Sequence, residues 1–212
     1  MNEWLSLLGI ASALAVGAVS PGPSFVVVAR TAVSAGRAQG VATAFGIALA
    51  GAIFATVALL GLHSVLLAVP KLFIGLKLFG GAYLLYLGVR IIRGATQPLT
   101  VDASNRANAS RSRSLLNNGR SGFITQIVNP KTAIVYASVF AAFLPAHTSG
   151  LFNLATVCVV FMIELIWYVV VSLLLSTAAP RAAYLHHKKW LDRIAGGVMA
   201  ALGGKLLTSA LR

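Results

Sequence analysis

Acidic residues are almost missing from this chain of 212 residues, which has only four of them beside 17 Lys and Arg. Charged residues of both signs make up 10% of the chain, against roughly 25% in a typical soluble domain. Cysteine is also scarce, since Cys158 is the only one. The low charge excludes an ordinary water-exposed surface, and the single cysteine excludes an intramolecular disulfide and a cysteine-based metal framework.

The few acids and histidines do not form a catalytic or metal-binding constellation. They are spread over unrelated regions, without acid–base pairing or metal-ligand spacing. The acids are Glu3, Asp102, Glu164 and Asp192, and the histidines are His63, His147, His186 and His187. We therefore expect no enzyme activity, no catalytic residue, no metal site and no cofactor.

Long apolar segments take the place of the missing charge. Hydrophobic residues make up 58% of the chain, and a membrane span needs about 20 mostly apolar residues. We predict an all-α integral membrane protein with a single domain over residues 1–212. Its six predicted transmembrane helices are 4–29, 40–62, 71–92, 121–144, 151–176 and 190–210. The polar stretch 94–120 is then a flexible linker between a first half, 1–93, and a second half, 121–212.

The net charge of +13 is explained by the placement of the basic residues rather than by nucleic acid binding. Most of them fall on one side of the predicted spans, and basic loops remain in the cytoplasm. These residues are Arg30, Arg37, Arg90, Arg93, Arg106, Arg111, Arg113, Arg120, Arg181, Lys188, Lys189 and Arg193, the last four around a predicted loop. We predict a multi-pass protein of a bacterial-type inner membrane, surrounded by lipid, with loop 94–120 in the cytoplasm and both termini outside.

Two proline motifs interrupt apolar segments at corresponding places in the two halves. Ser20-Pro21-Gly22-Pro23 lies in the first predicted span and Asn129-Pro130-Lys131 in the fourth. Three spans per half is an odd number, so a homologous second half would be upside down relative to the first. We predict two inverted three-helix repeats, each with its first helix interrupted at a proline motif.

The first motif favours a helix that stops near Ser20 and restarts near Pro23. Pro21 and Pro23 cannot donate backbone hydrogen bonds, and Gly22 permits unusual dihedral angles. A restarted helix presents N–H groups and the positive end of its dipole, which suits a carboxylate. Ser20 and Ser24 add hydroxyls at that terminus. The alternative is a proline kink that only shapes helix packing.

The second motif lies on a polar stripe, whose members recur at helical spacings of three and four. The members are Thr125, Gln126, Asn129, Thr132 and Tyr136. Pro130 cannot donate to the carbonyl of Gln126, so an acceptor is freed beside the stripe. A lysine at mid-depth is costly, and Lys131 should therefore face a cavity or a partner. The alternative is that its long stem carries the amine to the membrane interface.

Glu164 is the only acid within a predicted span, near the middle of the fifth. The first hypothesis for a carboxylate within a membrane span is a site that binds a cation or a proton. The competing interpretation is a structural salt bridge, with Lys77 or Lys131 as the partner. Tyr168, one turn beyond Glu164, could line a site or pack as an ordinary aromatic residue.

Several motifs resemble a known family, and they occur together in this order and at these spacings. They are Ser20-Pro21-Gly22-Pro23-Ser24-Phe25, Thr31-Ala32-Val33-Ser34, Lys77 with Gly80-Gly81-Ala82-Tyr83-Leu84, Tyr86-Leu87-Gly88 and Asn129-Pro130-Lys131. The chain resembles the LysE/RhtB translocators, which include lysine exporters and homoserine/threonine efflux proteins, and within that family it looks most like the threonine efflux group. The resemblance implies a proton-coupled antiporter that exports small neutral amino acids. Ser24 departs from the Asp or Asn common at this position, and a serine would weaken a contact with the substrate ammonium.

These observations place the expected substrate site between the two broken helices. We expect the amino acid carboxylate at Gly22 to Ser24 and the substrate side chain against Asn129. Glu164 would receive the ammonium or a proton, and Lys131 would bind Glu164 in the empty state. The secondary site residues are Lys77, Tyr136 and Tyr168. A homodimer could form through a seam of small residues. Two other classes stay open: a homo-oligomeric channel or an ion or metal exporter with a broken-helix pore, and a membrane scaffold.

Overall fold

A computed structural model describes residues 3–68, 70–96, 114–145 and 147–210 of the chain. Within these ranges the chain forms eight α-helices and no strand. The helices are α1 (Glu3–Val19), α2 (Pro23–Ala35), α3 (Arg37–Ala68), α4 (Pro70–Gly94), α5 (Leu115–Ile127), α6 (Pro130–Phe143), α7 (Gly150–Leu175) and α8 (Ala178–Ala210). The predicted all-α class is confirmed for these residues, and most of the predicted linker lies outside them.

Two helices are long and apolar enough to cross a membrane, namely Arg37–Gly61 of α3 and the whole of α7. The bent pair α1 and α2 meets the same test as a single span, with an angle of 55° at its break. Length and composition thus identify two spans, or three with the bent pair, among the described residues. The other spans of the six-span arrangement stay a prediction.

The described helices place apolar side chains outside and several polar ones inside. Leu116 is 81% exposed and Leu60 68% exposed, whereas Gln126 is 1% exposed and Glu164 6%. A soluble protein of this size rarely shows a large apolar surface, and such a surface suits contact with lipid. The buried polar side chains mark the interior as the place to look for function.

Glycine contacts hold α4 tightly against α8. A Cβ atom on Gly88 would lie 2.5 Å from the carbonyl oxygen of Gly196, and one on Gly203 would lie 2.6 Å from that of Gly81. Only glycine permits backbones to approach this closely, as in small-residue seams of membrane helices. The seam at Gly196 therefore packs within the chain. A homodimer remains a prediction that these contacts leave untested.

The packing of the helices follows a two-fold pattern if α1 to α4 correspond to α5 to α8. Contacts occur in matched pairs: α1 on α6 and α2 on α5, α2 on α7 and α3 on α6, α1 on α7 and α3 on α5. The pairs α3 with α7 and α4 with α8 are their own counterparts. The pattern departs from symmetry at several places among the described residues. Helix α1 packs on α8 and α6 packs on α4, while α5 with α4 and α2 with α8 make no comparable contact. Helix α2 also packs on α3, and α6 makes no comparable contact with α7.

Two predicted boundaries were wrong. Helix α8 runs unbroken from Ala178, so the basic segment around residues 181–189 is helical and not a loop. Its helical geometry brings Lys188 next to Asp192 one turn later, and such i,i+4 pairs support a helix. Helix α5 begins at Leu115, inside the predicted linker, because the Ser114 side chain caps it by accepting from the N–H of Asn117.

Candidate functional site

The first proline motif interrupts the helix where the sequence predicted. Helix α1 ends at Val19 and α2 begins at Pro23, with Gly22 as its N-cap. Proline is well suited to the first helical position, where its missing N–H costs nothing. Gly22 has an extended backbone and offers no side-chain cap to the N–H groups of α2. The break is therefore real, and the kink alternative is wrong.

The second motif also separates two helices, but it caps itself. Helix α5 ends at Ile127 and α6 begins at Pro130. The side-chain oxygen of Asn129 accepts from the backbone N–H of Lys131 at 3.1 Å. An asparagine N-cap of this kind typically stabilises a helix by about 1 kcal/mol over alanine. The N-terminus of α6 thus has the side-chain partner that α2 lacks.

A chain of hydrogen bonds joins the two breaks. Asn129 Nδ2 donates to Ser24 Oγ at 3.0 Å, and the Ser24 hydroxyl donates to Gln126 Oε1. Thr132 Oγ1 donates to the same Gln126 oxygen at 3.2 Å. All four side chains are buried. The hydroxyl of Ser24 is thus committed to partners in the second half of the chain, which is a role that sequence reasoning did not foresee.

The hydrogen-bonded chain ends at Glu164 on α7. Glu164 Oε1 accepts from Gln126 Nε2 at 3.1 Å and from the Tyr136 hydroxyl at 2.9 Å. Its other oxygen, Oε2, is buried and has no hydrogen-bond partner among the described residues. Oε1 therefore already holds two donors. The second oxygen is thus an acceptor that no described residue fills.

Lys131 does not bind Glu164, so the predicted pair is wrong. Its Nζ donates to the carbonyl oxygen of Ser20 at 2.6 Å and to that of Gly17 at 3.3 Å. Gly17 lies in the last turn of α1 and Ser20 directly follows the helix, where acceptors are left unpaired and the dipole favours a cation. Lys131 therefore faces a partner, as predicted, but the partner is the backbone end of the other broken helix.

Most predicted site residues line one small interior cavity of about 20 Å³, which we call the central cavity. Its wall includes Gly22, Ser24, Gln126, Asn129, Lys131, Tyr136, Glu164 and Tyr168. A space of this size holds about one water molecule. Ser20 is buried beside the break, and its hydroxyl has no partner in the described part of the chain. The side chain of Lys77 lies outside the described residues.

A second cavity of about 330 Å³ adjoins the first. Both are lined by Gly22, Asn129 and Lys131. We call it the arginine-side cavity, because Arg90 near the end of α4 lines it. The other residues that line it include Pro21, Pro23, Pro130, Tyr83, Lys188 and Asp192. The three prolines of the predicted site thus face this larger cavity.

Sequence reasoning missed Gly51 on α3. A Cβ atom at this position would lie 2.9 Å from the Tyr136 hydroxyl and 3.2 Å from Glu164 Cγ. The glycine therefore leaves room for the tyrosine and the carboxylate to meet. Nothing in the sequence distinguishes it from the other glycines of the apolar segments, since only the packing of α3 on α7 gives it this role.

The chain matches the LysE type translocator family over residues 15–210. The chain belongs to that family. It is 31% identical over 205 residues to the threonine efflux protein of Escherichia coli K12, covering 95% of this chain and 97% of the relative. It is 32% identical over 197 residues to the threonine efflux protein of Salmonella typhi, covering 92% and 93%.

A third relative carries no functional name. It is an uncharacterized membrane protein of Pseudomonas aeruginosa, 30% identical over 213 residues, with 98% of this chain and 95% of the relative covered. No solved structure matches the chain. As a LysE type translocator the chain is a membrane transport protein and not an enzyme, and the sequence predicted both correctly.

Proposed function

We propose that this LysE type translocator exports small neutral amino acids, with threonine and homoserine favoured, by antiport against protons. The observation that carries the proposal is the buried Glu164 carboxylate, whose Oε2 has no partner among the described residues while Oε1 holds two donors. The named relatives are threonine efflux proteins and share about a third of their residues with this chain. Their substrate is the natural first candidate.

The proposed substrate position uses both ends of the amino acid. The carboxylate would lie at the N-terminus of α2, where Gly22 provides no side-chain cap and the helix dipole favours an anion. The ammonium would lie against Glu164 Oε2. Gly22 and Glu164 both line the central cavity. Asn129 and Thr132 would contact the substrate side chain, since both residues line the same cavity. A hydroxylated side chain suits such a wall.

Glu164 can also account for coupling to protons. A carboxylate that binds an ammonium in one step and a proton in another admits only one cation at a time. After the amino acid is released, a proton would bind the same oxygen. The transporter with protonated Glu164 would then return to the conformation that accepts substrate. Intramembrane carboxylates serve this purpose in other transporters. Exclusive occupancy of Oε2 is thus a simple route to antiport.

Movement is necessary, because the central cavity of about 20 Å³ is too small for an amino acid. We propose that the asymmetry in packing indicates the direction of this movement. In this conformation α1 contacts α8 and α6 contacts α4. Among the described residues, α2 makes no comparable contact with α8, and α5 makes none with α4. Exchanging these contacts between inverted repeats would close the arginine-side cavity and open the opposite side.

The membrane arrangement of the proposal is the one that the sequence predicts. Six spans form two inverted repeats in an inner membrane, with the linker in the cytoplasm and both termini outside. The arginine-side cavity would then face the cytoplasm, since Arg90 and Lys188 both line it. An exporter takes its substrate from that side, so the observed conformation would be the one that accepts substrate.

Transport by purified protein in proteoliposomes tests the proposal. Vesicles loaded with unlabelled amino acids should show saturable counterflow of labelled threonine and homoserine, and little of lysine. A pH gradient should drive net movement, and a protonophore should stop it. Absence of counterflow for every amino acid would contradict amino acid export, and unsaturable passive flux would favour the channel alternative.

A further inference from the structure

The arginine-side cavity contains a buried ion pair that the proposed export cycle does not use. Lys188 Nζ and Asp192 Oδ2 on α8 lie 2.6 Å apart, and Asp192 is 3% exposed. The other oxygen, Asp192 Oδ1, is buried without a hydrogen-bond partner in the described residues. A buried carboxylate normally has its acceptors filled, so this oxygen calls for an explanation.

The charges around this cavity match those of an amino acid rather than those of a simple ion. Arg90, Lys131 and Lys188 contribute positive charge to its wall, and Asp192 contributes the one negative charge among its described lining residues. The excess of positive charge attracts a carboxylate. Arg90 is exposed and can offer its planar fork to that group, while Lys131 and Lys188 already hold other partners.

We infer that the arginine-side cavity is a loading site for the zwitterionic amino acid, separate from the central cavity. Arg90 receives the α-carboxylate, and Asp192 Oδ1 receives the α-ammonium. At about 330 Å³ the cavity has room for a small amino acid, unlike the central cavity. Lys131 lines both cavities, and the substrate passes it on the way from Asp192 to Glu164. This inference rests on the proposed export of amino acids.

Two substitutions with matched controls test the loading site. Asp192→Asn keeps one oxygen for Lys188 and replaces the other with a donor, and its control is Arg193→Gln on the next, exposed residue. Arg90→Gln removes the proposed carboxylate partner, and its control is Arg93→Gln, also exposed and near the same end of α4. Neither control residue lines the cavity. Folding of each variant is checked by gel filtration and thermal unfolding in detergent.

The measurement is the initial rate of threonine transport against concentration, from each side of the membrane in vesicles of defined orientation. Both test variants should raise KM at least tenfold on the arginine side and leave KM on the opposite side within about twofold, because a charge-assisted hydrogen bond is worth tenfold or more. The controls should leave both constants unchanged. Equal KM values for Arg90→Gln and wild type on the arginine side would overturn the inference, whether or not Asp192→Asn folds.

Competition by a carboxylate without an ammonium gives a second readout. Wild-type transport from the arginine side should be inhibited poorly by 3-hydroxybutyrate, which is threonine-like but carries no amine. Asp192→Asn should narrow the preference for threonine over this competitor by about tenfold, an effect that a general loss of stability does not produce. An unchanged preference in folded Asp192→Asn would overturn the role of Asp192. Absence of any amino acid counterflow by wild type would instead overturn the export proposal.

Discussion

The two proline breaks each separate a pair of helices, yet they are completed in different ways. Asn129 caps α6 at the second break with its own side chain. The first break has no such cap, and the carbonyl groups at the end of α1 are held instead by Lys131 from the second. The second break is therefore capped by its own side chain, whereas the first is stabilised by a side chain from the second.

This difference leaves the two helix ends at the first break in different states. The end of α1 has its acceptors paired with an amine, whereas the start of α2 receives no side-chain cap. A cation satisfies the negative end of one helix, and the positive end of the next remains suited to an anion. Lys131 thus pairs with the carbonyls at the end of α1, while its stem packs beside Gly22 at the start of α2.

The largest expected effect comes from Glu164→Gln, at the point where the donors of the second half converge. The glutamine keeps an oxygen for Tyr136 but cannot carry a negative charge, so net export driven by a pH gradient should fall to background. Thr156→Val on the same helix is the control, because its hydroxyl donates to the backbone oxygen of Phe152 at 2.8 Å, within its own helix. Transport is measured in proteoliposomes at equal protein content. Normal gradient-driven export by Glu164→Gln would remove the carboxylate from the mechanism.

Lys131→Met should have the next largest effect, which is a loss of stability. It should destabilise the first break more than the second. Two buried carbonyl oxygens at the end of α1 lose a charged donor, and hydrogen bonds to charged groups contribute about 1.5 to 3 kcal/mol each. The thermal unfolding midpoint in detergent should fall clearly. Lys205→Met is the control, since this amine belongs to an exposed residue and lies over the Phe143 ring, away from the break. Equal midpoints for the two variants would show that Lys131 does not hold α1.

Substitutions at Asn129 separate its cap from its link to Ser24. Asn129→Asp should keep the cap, because a carboxylate oxygen still accepts from the N–H of Lys131, but it loses the donor to Ser24. Asn129→Ala loses both, and the cap alone is worth about 1 kcal/mol, with about 0.6 kcal/mol more for an average interhelical hydrogen bond. The alanine variant should therefore unfold at the lower temperature. The opposite order would show that the cap does not stabilise this break, since both variants lack the donor to Ser24.

The smallest expected effect on stability comes from Gly22→Ala. A Cβ atom there would lie 3.1 Å from Lys131 Cδ, and the flexible lysine stem can yield. The backbone of Gly22 is extended, a conformation that any residue adopts. Alanine also reduces the conformational entropy of the unfolded chain, which stabilises the fold by about 0.4 to 1 kcal/mol and offsets the cost of crowding. The transport rate should fall although the unfolding midpoint changes little, because Gly22 lines both cavities. Gly197→Ala, in open space on α8, is the control.

Much of the site was predictable from local chemistry. Prolines that cannot donate hydrogen bonds predicted both breaks, and the helical spacing of polar residues predicted the stripe from Gln126 to Tyr136. An acid in an apolar segment identified Glu164. The partner of Lys131 could not be predicted in this way, because backbone carbonyls carry no residue identity and any helix end offers them. The helical course of the segment around Lys188 was missed because its charge suggested a loop.

The sequence by itself determined the all-helical membrane character, the two breaks, the buried acid and the family. These follow from properties that each segment has in any conformation, such as the absence of a proline N–H and the exclusion of charge by lipid. Only the tertiary structure decided which groups meet, since Ser24 and Asn129 are separated by 105 positions and bond only after the helices pack. The same packing left one oxygen of Glu164 and one of Asp192 unpartnered within the described residues, and these two atoms define the proposed path of the substrate.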